Sequence, residues 1–197
     1  MSALVLASQS QTRRTMLAAA GLDFTCVNPG VDEDALKAGL LAEGASPRDI
    51  ADALAQAKAV KASSRHAGLV IGADSTLEID GVLIDKAATL AEAKEVLQRL
   101  RGGVRKLCSA AVLAENGVPV WRAVETAKLT VRACSDAFID TYLAKAGESV
   151  LSSVGCFHLE GLGAQMFDKV EGDWFTVLGL PLLPLLGALR QRGMVET

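Results

Sequence analysis

The amino-acid sequence predicts an α/β fold with a mixed, elongated sheet flanked by helices. Helical segments alternate with short apolar segments of strand length along most of the chain. Two turn signals, Asp80-Gly81 and Asn116-Gly117, each separate two apolar segments and predict antiparallel hairpins. The 197 residues, of which 50% are hydrophobic and 22% charged, suffice for one globular domain with one core, which we place at residues 1–197.

The N-terminal third is predicted to contain two strands and two helices. Ser10 is expected to cap the first helix and Gly21 to end it. The second helix begins after Ser46, because a serine cap, a proline at the first helical position and an acid in the first turn are typical of a helix start. The predicted elements are a strand at 3–7, a helix through 16–20, a strand at 24–27, an irregular acidic segment at 28–34 and a helix from 46.

The remaining chain is predicted to form hairpins and three further helices. Thr89 and Glu92 have the spacing of a capping box and predict a helix that ends at Gly102-Gly103. The predicted elements are the hairpin strands 69–79 and 82–84, a helix from 90, the hairpin strands 107–114 and 118–131, a helix from Ser135 to Gly147, a glycine-rich loop at 156–163, a strand at 166–170 and a helix from 180.

Asp74 is an unusual residue for its position in the sequence. It follows a continuous apolar run, Leu69–Gly72, which is typical of a strand that is covered on both faces. An ionised carboxylate there costs several kcal/mol unless it is paired, hydrogen-bonded or bound to a metal. The hairpin can bring Lys86 close to Asp74, and such a pair of opposite charges favours a functional site. The alternative is that Asp74 is a structural residue whose carboxylate accepts a backbone N–H.

The start of the first helix carries Arg13 and Arg14, where cations oppose the helix dipole. An anion bound by backbone N–H groups, the hydroxyls of Ser8 and Ser10, and the two guanidinium groups would explain this arrangement. The alternative is that both arginines are solvated surface residues.

Composition restricts the partners of the protein. The net charge of −3 argues against a nucleic-acid polymer, although a small polyanion bound by a few local cations remains possible. No apolar run reaches the length of a membrane span, and Met1-Ser2 lacks the basic start of a secretory signal. The four cysteines are far apart in sequence, so we expect them to be reduced and buried in a cytoplasmic protein.

Five segments, in order, resemble motifs of the Maf-like nucleoside triphosphate pyrophosphatases. They are Leu6–Ser10 with Arg13-Arg14, which is similar to the phosphate loop; Leu54–Ala59, similar to Leu-Ala-x-x-Lys-Ala; Ile71–Ser75, similar to Gly-Ala-Asp-Thr; Lys86, in the place of Gly-Lys-Pro; and Val177–Pro181, similar to Val-x-Gly-Leu-Pro. The chain departs from the family pattern at Gln11, Asp85, Ala87 and Lys106, the last at a position where many members have histidine; none of these removes a charge that the chemistry needs.

The resemblance implies a Maf/inosine triphosphate pyrophosphatase-like fold with two lobes and a cleft. It also implies hydrolysis of a nucleoside triphosphate between the α and β phosphates, with a divalent cation, magnesium or manganese. Asp74 would accept a proton from water or hold the metal with Glu33, and Asp32 is expected to complete the oxygen set. The implied catalytic residues are Asp74, Lys86 and Lys58, and the implied substrate-binding residues are Ser8, Ser10, Thr12, Arg13, Arg14, Ser75 and Glu160.

The base is expected to be read by Glu160. The segment His158–Gly163 is similar to the family branch that prefers 7-methylguanosine triphosphate, whereas the pyrimidine branch carries glutamine. A carboxylate can accept the N1–H and the exocyclic amine of guanine side by side. The alternative is that Glu160 is a solvent-facing loop residue that does not contact substrate.

The sequence is also compatible with two other functions. The first is hydrolysis of thymidine and uridine triphosphates by the same machinery. The second is a non-catalytic, nucleotide-binding regulator of septum formation, which would need the cations but not a buried carboxylate facing the phosphates. The long hairpin also offers an edge for a homodimer.

Overall fold

The computed structural model describes residues 3–196, so Met1, Ser2 and Thr197 lie outside the described residues. The strands are β1 (Leu4–Ala7), β2 (Thr25–Cys26), β3 (Leu69–Ile79), β4 (Val82–Ile84), β5 (Gly103–Glu115), β6 (Val118–Val131) and β7 (Phe167–Glu171). The α-helices are α1 (Gln11–Ala19), α2 (Glu33–Ala42), α3 (Pro47–Ser63), α4 (Leu90–Leu100), α5 (Asp136–Ala146), α6 (Trp174–Val177) and α7 (Leu182–Gln191). Two 3-10 helices span Gly147–Ser152 and Leu162–Met166.

The strands form one mixed sheet, which confirms the predicted fold class. The strand order is β2-β1-β3-β5-β6-β7, with β4 paired to β3 outside this path. Strand β1 is parallel to both β2 and β3, with Leu4 opposite Leu69 and Ala7 opposite Gly72. The β3–β4 and β6–β7 pairs are antiparallel.

Both predicted hairpin turns are present. Asp80 and Gly81 have φ values of 51° and 82°, and Asn116 and Gly117 have φ values of 51° and 79°. Two successive positive φ angles are the mark of a type I′ turn, for which Asp-Gly and Asn-Gly are the preferred pairs.

The chain divides into two compact units. Unit 1 comprises residues 1–75, 108–125 and 173–197, and unit 2 comprises residues 76–107 and 126–172. Strands β3, β5 and β6 each contribute residues to both units.

Unit 1 packs helices against both faces of its strands. Alternate residues of β1, β3 and β5, among them Leu6 and Ile71, join α1 and α7 in one apolar cluster. The residues between them on β5 pack against the small side chains of α3, such as Ala55 and Ala59. Because side chains on a strand alternate between its two faces, neighbouring residues on β3 are presented to different helices.

Unit 2 has its own buried side chains. Helix α4 packs against α5. Leu97 and Ile139 of these two helices are fully buried, as is Leu129 of β6. Helix α4 begins with the predicted capping residues, since Thr89 Oγ1 accepts the N–H of Glu92 and the Glu92 carboxylate accepts the N–H of Ala88.

Two expectations were wrong, and one helix was not predicted. Residues 33 and 34 are not irregular, because Asp32 caps α2 and accepts the N–H of Ala35. A short helix, α6, precedes the last helix. Cys26 is exposed, because it lies on a two-residue edge strand, whereas the other cysteines are buried and all four are free thiols. Within residues 3–196 no helix combines the length and apolarity needed to cross a membrane.

Candidate active site

The loop between β1 and α1 builds a helix start that suits an anion. Ser10 is the N-cap, and its Oγ lies 3.4 Å from the backbone nitrogen of Arg13. The buried Ser8 accepts the N–H of Ser10 through its Oγ at 3.2 Å. The first turn of α1 contains no acidic side chain, so the positive end of the helix dipole is not neutralised there by the helix itself.

The guanidinium of Arg13 is buried and makes four hydrogen bonds within unit 1. Nε donates to the carbonyl of Gly179 at 2.8 Å, and Nη1 donates to the carbonyl of Ala73 at 3.0 Å and to Ser8 Oγ at 3.4 Å. Nη2 donates to Ser75 Oγ at 3.0 Å. Arg13 therefore ties the β1–α1 loop to β3 and to the Gly179 turn.

Burial lowers the pKa of the Arg13 guanidinium, while the negative charges of Asp74 and Glu33 act in the opposite direction. The group remains charged, because the ordinary pKa of arginine is far above neutrality. The two carboxylates thus balance a cation that is otherwise removed from water.

Arg14 differs from Arg13 in its surroundings. Its Nε is buried, and among the described residues it has no hydrogen-bond partner. A buried donor without a partner is costly, and a bound anion would satisfy it. Thr12, on the same helix, is half-buried.

Lys58 connects the two predicted metal ligands. Its Nζ lies 2.6 Å from Oδ1 of Asp74 and 2.8 Å from Oε2 of Glu33. The side chains of Lys58 and Asp74 are only 7% and 13% exposed, whereas that of Glu33 is 46% exposed. The predicted functional carboxylate is therefore paired, as the cost of burying its charge requires.

Gly72 allows this contact. A Cβ at this position would lie 2.2 Å from the carbonyl oxygen of Ala55 and 2.5 Å from the nitrogen of Ala59, so α3 approaches β3 more closely than a side chain would permit. Lys58 precedes Ala59 on α3, and Asp74 is two residues beyond Gly72, on the same face of β3.

Ser75 is on the other face of β3 and belongs to a polar network. Its Oγ lies 2.9 Å from Oγ of Ser109 and 3.2 Å from the carbonyl oxygen of Gly179. Ser109 is fully buried and donates to the carbonyl of Thr176 at 2.7 Å. Ser109 was not predicted as a site residue; the one signal in the sequence was its hydroxyl within the apolar run of β5.

A cavity of about 70 Å³ lies beside Lys58 and Glu33. It is also lined by residues of the β1–α1 loop and of the segment before α2, namely Ser8, Gln9, Asn28, Pro29 and Val31. Gln9, Asn28 and Pro29 were not predicted as site residues. The cavity is thus bordered by the β1–α1 loop on one side and by Lys58 and Glu33 on the other, all of them in unit 1.

The other predicted site residues lie in unit 2. Lys86 is exposed and follows β4. Glu160 is exposed on a turn, with its Oε1 3.8 Å from Nδ1 of His158. The His158 Nε2 lies 3.1 Å from the carbonyl oxygen of Ser149.

The donor chemistry of the Glu33–Asp74 pair fits magnesium. Among residues 3–196 there is no group of three or more His, Cys, Asp or Glu residues that could hold a metal ion. Magnesium needs no such group, because it is commonly bound by one or two carboxylates together with substrate phosphates and water. Asp32, which was expected to complete the oxygen set, is the N-cap of α2, and its Oδ1 accepts the N–H of Ala35 at 3.0 Å.

Comparison with known proteins places this site in a family context. The family model described as Maf-like protein matches residues 3–192. The chain is 58% identical to the nucleoside triphosphate pyrophosphatase of Caulobacter vibrioides over 193 residues, which cover 98% of this chain and 97% of that protein. It is 52% identical to the protein of the same name from Sphingopyxis alaskensis, over 97% of this chain and 98% of that one. It is 48% identical to the 7-methyl-GTP pyrophosphatase of Rhizobium meliloti, over 98% of each chain. The chain therefore belongs to the Maf-like protein family.

Proposed function

We propose that the protein hydrolyses a nucleoside triphosphate between the α and β phosphates, releasing the monophosphate and pyrophosphate. The observation that carries the proposal is the carboxylate of Asp74, bonded to Lys58 beside a helix start that lacks an acidic side chain. The names of the relatives from Caulobacter vibrioides and Sphingopyxis alaskensis describe the same reaction.

The phosphates bind at the start of α1 in this proposal. Backbone N–H groups, the Ser10 hydroxyl and the guanidinium of Arg14 face the anion. Arg13 holds the loop in place through its bonds to Ser8 and to the carbonyls of Ala73 and Gly179, while its charge contributes to the local field. Such charge neutralisation and positioning dominate phosphoryl-transfer catalysis.

Asp74 receives the proton of the attacking water. As the water oxygen forms its bond to phosphorus, the bridging P–O bond of the anhydride breaks and the pyrophosphate leaves with that electron pair. In the ligand-free protein Lys58 donates to Oδ1 of Asp74 and so offsets the cost of burying the carboxylate. Lys86 is assigned to neutralise charge on the leaving phosphates, by analogy with the family motif it occupies.

A divalent cation, magnesium or manganese, completes the proposal. Glu33 and Asp74 would hold it, because their oxygens are the ligands that such hard cations prefer. When bound, the cation would neutralise charge on the phosphate oxygens.

The proposed base is 7-methylguanine. The carboxylate of Glu160 is 43% exposed and is therefore accessible to a ligand. It can accept two adjacent hydrogen bonds from guanine, and the positive charge that N7 methylation places on the ring strengthens them. The name of the Rhizobium meliloti relative supports this choice.

Product analysis tests the proposed reaction. The purified protein is incubated with magnesium and a panel of triphosphates that includes 7-methylguanosine, guanosine, thymidine and uridine triphosphates, and the products are separated by anion-exchange chromatography. We expect equal amounts of monophosphate and pyrophosphate, with the highest specificity constant for 7-methylguanosine triphosphate. Diphosphate with orthophosphate, or no product from any substrate, would contradict the reaction, and a preference for the pyrimidines would contradict the base.

A further inference from the structure

The two carboxylates of the site are bridged by an ammonium group of the protein itself. Lys58 Nζ is within 2.8 Å of Glu33 and 2.6 Å of Asp74, and it is close to the position that a cation shared by the two carboxylates would occupy. With Arg13 nearby, two negative charges face two positive charges. The site is therefore electrically balanced before any ligand binds.

A divalent cation entering this balanced site would be repelled by the two positive charges of Lys58 and Arg13. Lys58 is the group that can relieve the repulsion, because its charge lies at the end of a flexible four-carbon stem. Arg13 is held by four hydrogen bonds and cannot move as easily. The cavity that Lys58 lines gives its ammonium group a space in which to move.

We propose that Lys58 is a resident counter-ion that makes metal binding depend on the bound triphosphate. Negative phosphates beside the site attract the ammonium away from Glu33 and Asp74 and leave both carboxylates available to the metal. This inference rests on the proposed function, because it takes a triphosphate as the ligand that Lys58 follows.

The two ligands then bind with positive coupling. A nucleotide that releases Lys58 raises the affinity for metal, and by thermodynamic linkage the metal raises the affinity for nucleotide by the same factor. In the absence of nucleotide, the protein pays for displacing Lys58 from two charged hydrogen bonds, so the metal binds weakly.

Mn²⁺ binding to the nucleotide-free protein tests the role of Lys58. The free ion is counted by electron paramagnetic resonance for the wild type, for Lys58→Met and for Lys37→Met. Lys58→Met removes the resident charge but keeps an unbranched side chain, and we expect it to bind Mn²⁺ about tenfold or more tightly than the wild type. Lys37→Met removes the same charge from α2, the helix that carries Glu33, and should leave the affinity at the wild-type value.

The inference is overturned if Lys58→Met binds Mn²⁺ no more tightly than the wild type, or if none of the proteins binds it. Circular dichroism establishes that each variant is folded. Should Lys58→Met not fold, Lys58→Gln takes its place with the same expected tightening, because it also removes the charge; in the wild type, saturating guanosine 5′-(α,β-methylene)triphosphate, after correction for the Mn²⁺ that the nucleotide chelates, must in addition tighten Mn²⁺ binding about tenfold or more. No tightening overturns the inference.

These readouts are independent of turnover. Lack of hydrolysis across the substrate panel would contradict the proposed function, whereas an unchanged Mn²⁺ affinity would contradict only the role of Lys58. The two failures are therefore distinguishable.

Discussion

The ammonium nitrogen of Lys58 lies 2.6 Å from Oδ1 of Asp74, and the two residues are only 6% and 9% exposed. Charged groups with so little access to water need each other, because either one left alone would carry a large desolvation cost. Lys58 is on α3 and Asp74 on β3, so the pair forms only where helix and strand are in near contact. That contact depends on Gly72.

Replacing Gly72 with alanine should destabilise the protein and lower its turnover. The added Cβ would meet the backbone of Ala55 and Ala59 on α3, which cannot rotate away as a side chain can. We expect a loss of about 1–3 kcal/mol in the free energy of unfolding, which is typical of overpacking. Urea denaturation and steady-state kinetics measure the two effects.

Gly187→Ala is the matched control. Gly187 lies within α7, and a Cβ there has no atom within 4 Å. Removing glycine from a helix interior should stabilise the protein by about 0.5–1 kcal/mol. If Gly72→Ala and Gly187→Ala changed the stability equally, the close approach of α3 would not be the reason why position 72 requires glycine.

Substitutions of Arg13 and Arg14 should have different effects on kcat, KM and stability. Arg13→Lys loses the planar fork that reaches Gly179, Ala73 and Ser75, so we expect a lower kcat and a loss of about 1–3 kcal/mol in stability. Arg14→Ala removes a side chain with an unpartnered Nε, so it should raise KM roughly tenfold or more without loss of stability. Identical kinetic and thermal profiles for the two variants would refute this division of roles.

Ser109→Ala tests the buried polar network. The variant leaves the carbonyl of Thr176 without its 2.7 Å hydrogen bond and removes one of the hydrogen-bond partners of Ser75, so the free energy of unfolding should fall by about 1–3 kcal/mol. Ser64→Ala is the control, because the Ser64 hydroxyl is exposed and donates to the carbonyl of Lys61 at the end of its own helix. If Ser109→Ala were as stable as the control, Ser109 would not stabilise the polar network.

Local signals predicted most elements correctly. The serine cap and Pro47 located the start of α3, and the Asp-Gly and Asn-Gly pairs located the hairpin turns, because these residues satisfy backbone requirements that do not depend on distant parts of the chain. Helix α2 was missed for a physical reason. It contains no buried residue, so its sequence lacks the apolar periodicity that identifies a helix packed on a core.

The site was predictable as a set of residues and not as a set of contacts. The sequence predicted that Asp74 is buried at a cost in free energy, and it predicted that Lys58 lies beside an apolar helix face. Their contact with each other required the close approach at Gly72, and that of Lys58 with Glu33 required the packing of α2 against α3, which the sequence does not show. For the same reason the sequence could not show that Arg13 directs its donors to the protein.

Glu160→Gln tests the reading of the base. An amide offers one acceptor and one donor where the carboxylate offers two acceptors, so the ratio of specificity constants for 7-methylguanosine over uridine triphosphate should fall roughly tenfold or more. Glu148→Gln, at an exposed position in the same unit, is the control. An unmoved ratio in Glu160→Gln would mean that another residue reads the base.

Asp74→Asn tests the central claim most directly. The amide keeps the shape of the side chain but cannot accept the proton, so turnover should fall about a thousandfold or more. Lys58 retains Glu33 as a charged partner, so the variant should remain folded by circular dichroism. Asp80→Asn, in the exposed turn where asparagine tolerates positive φ, should keep wild-type turnover. The decisive measurement is the rate of pyrophosphate release by folded Asp74→Asn: a rate about a thousandth of the wild-type value or lower is predicted, and a rate near the wild-type value would contradict the account.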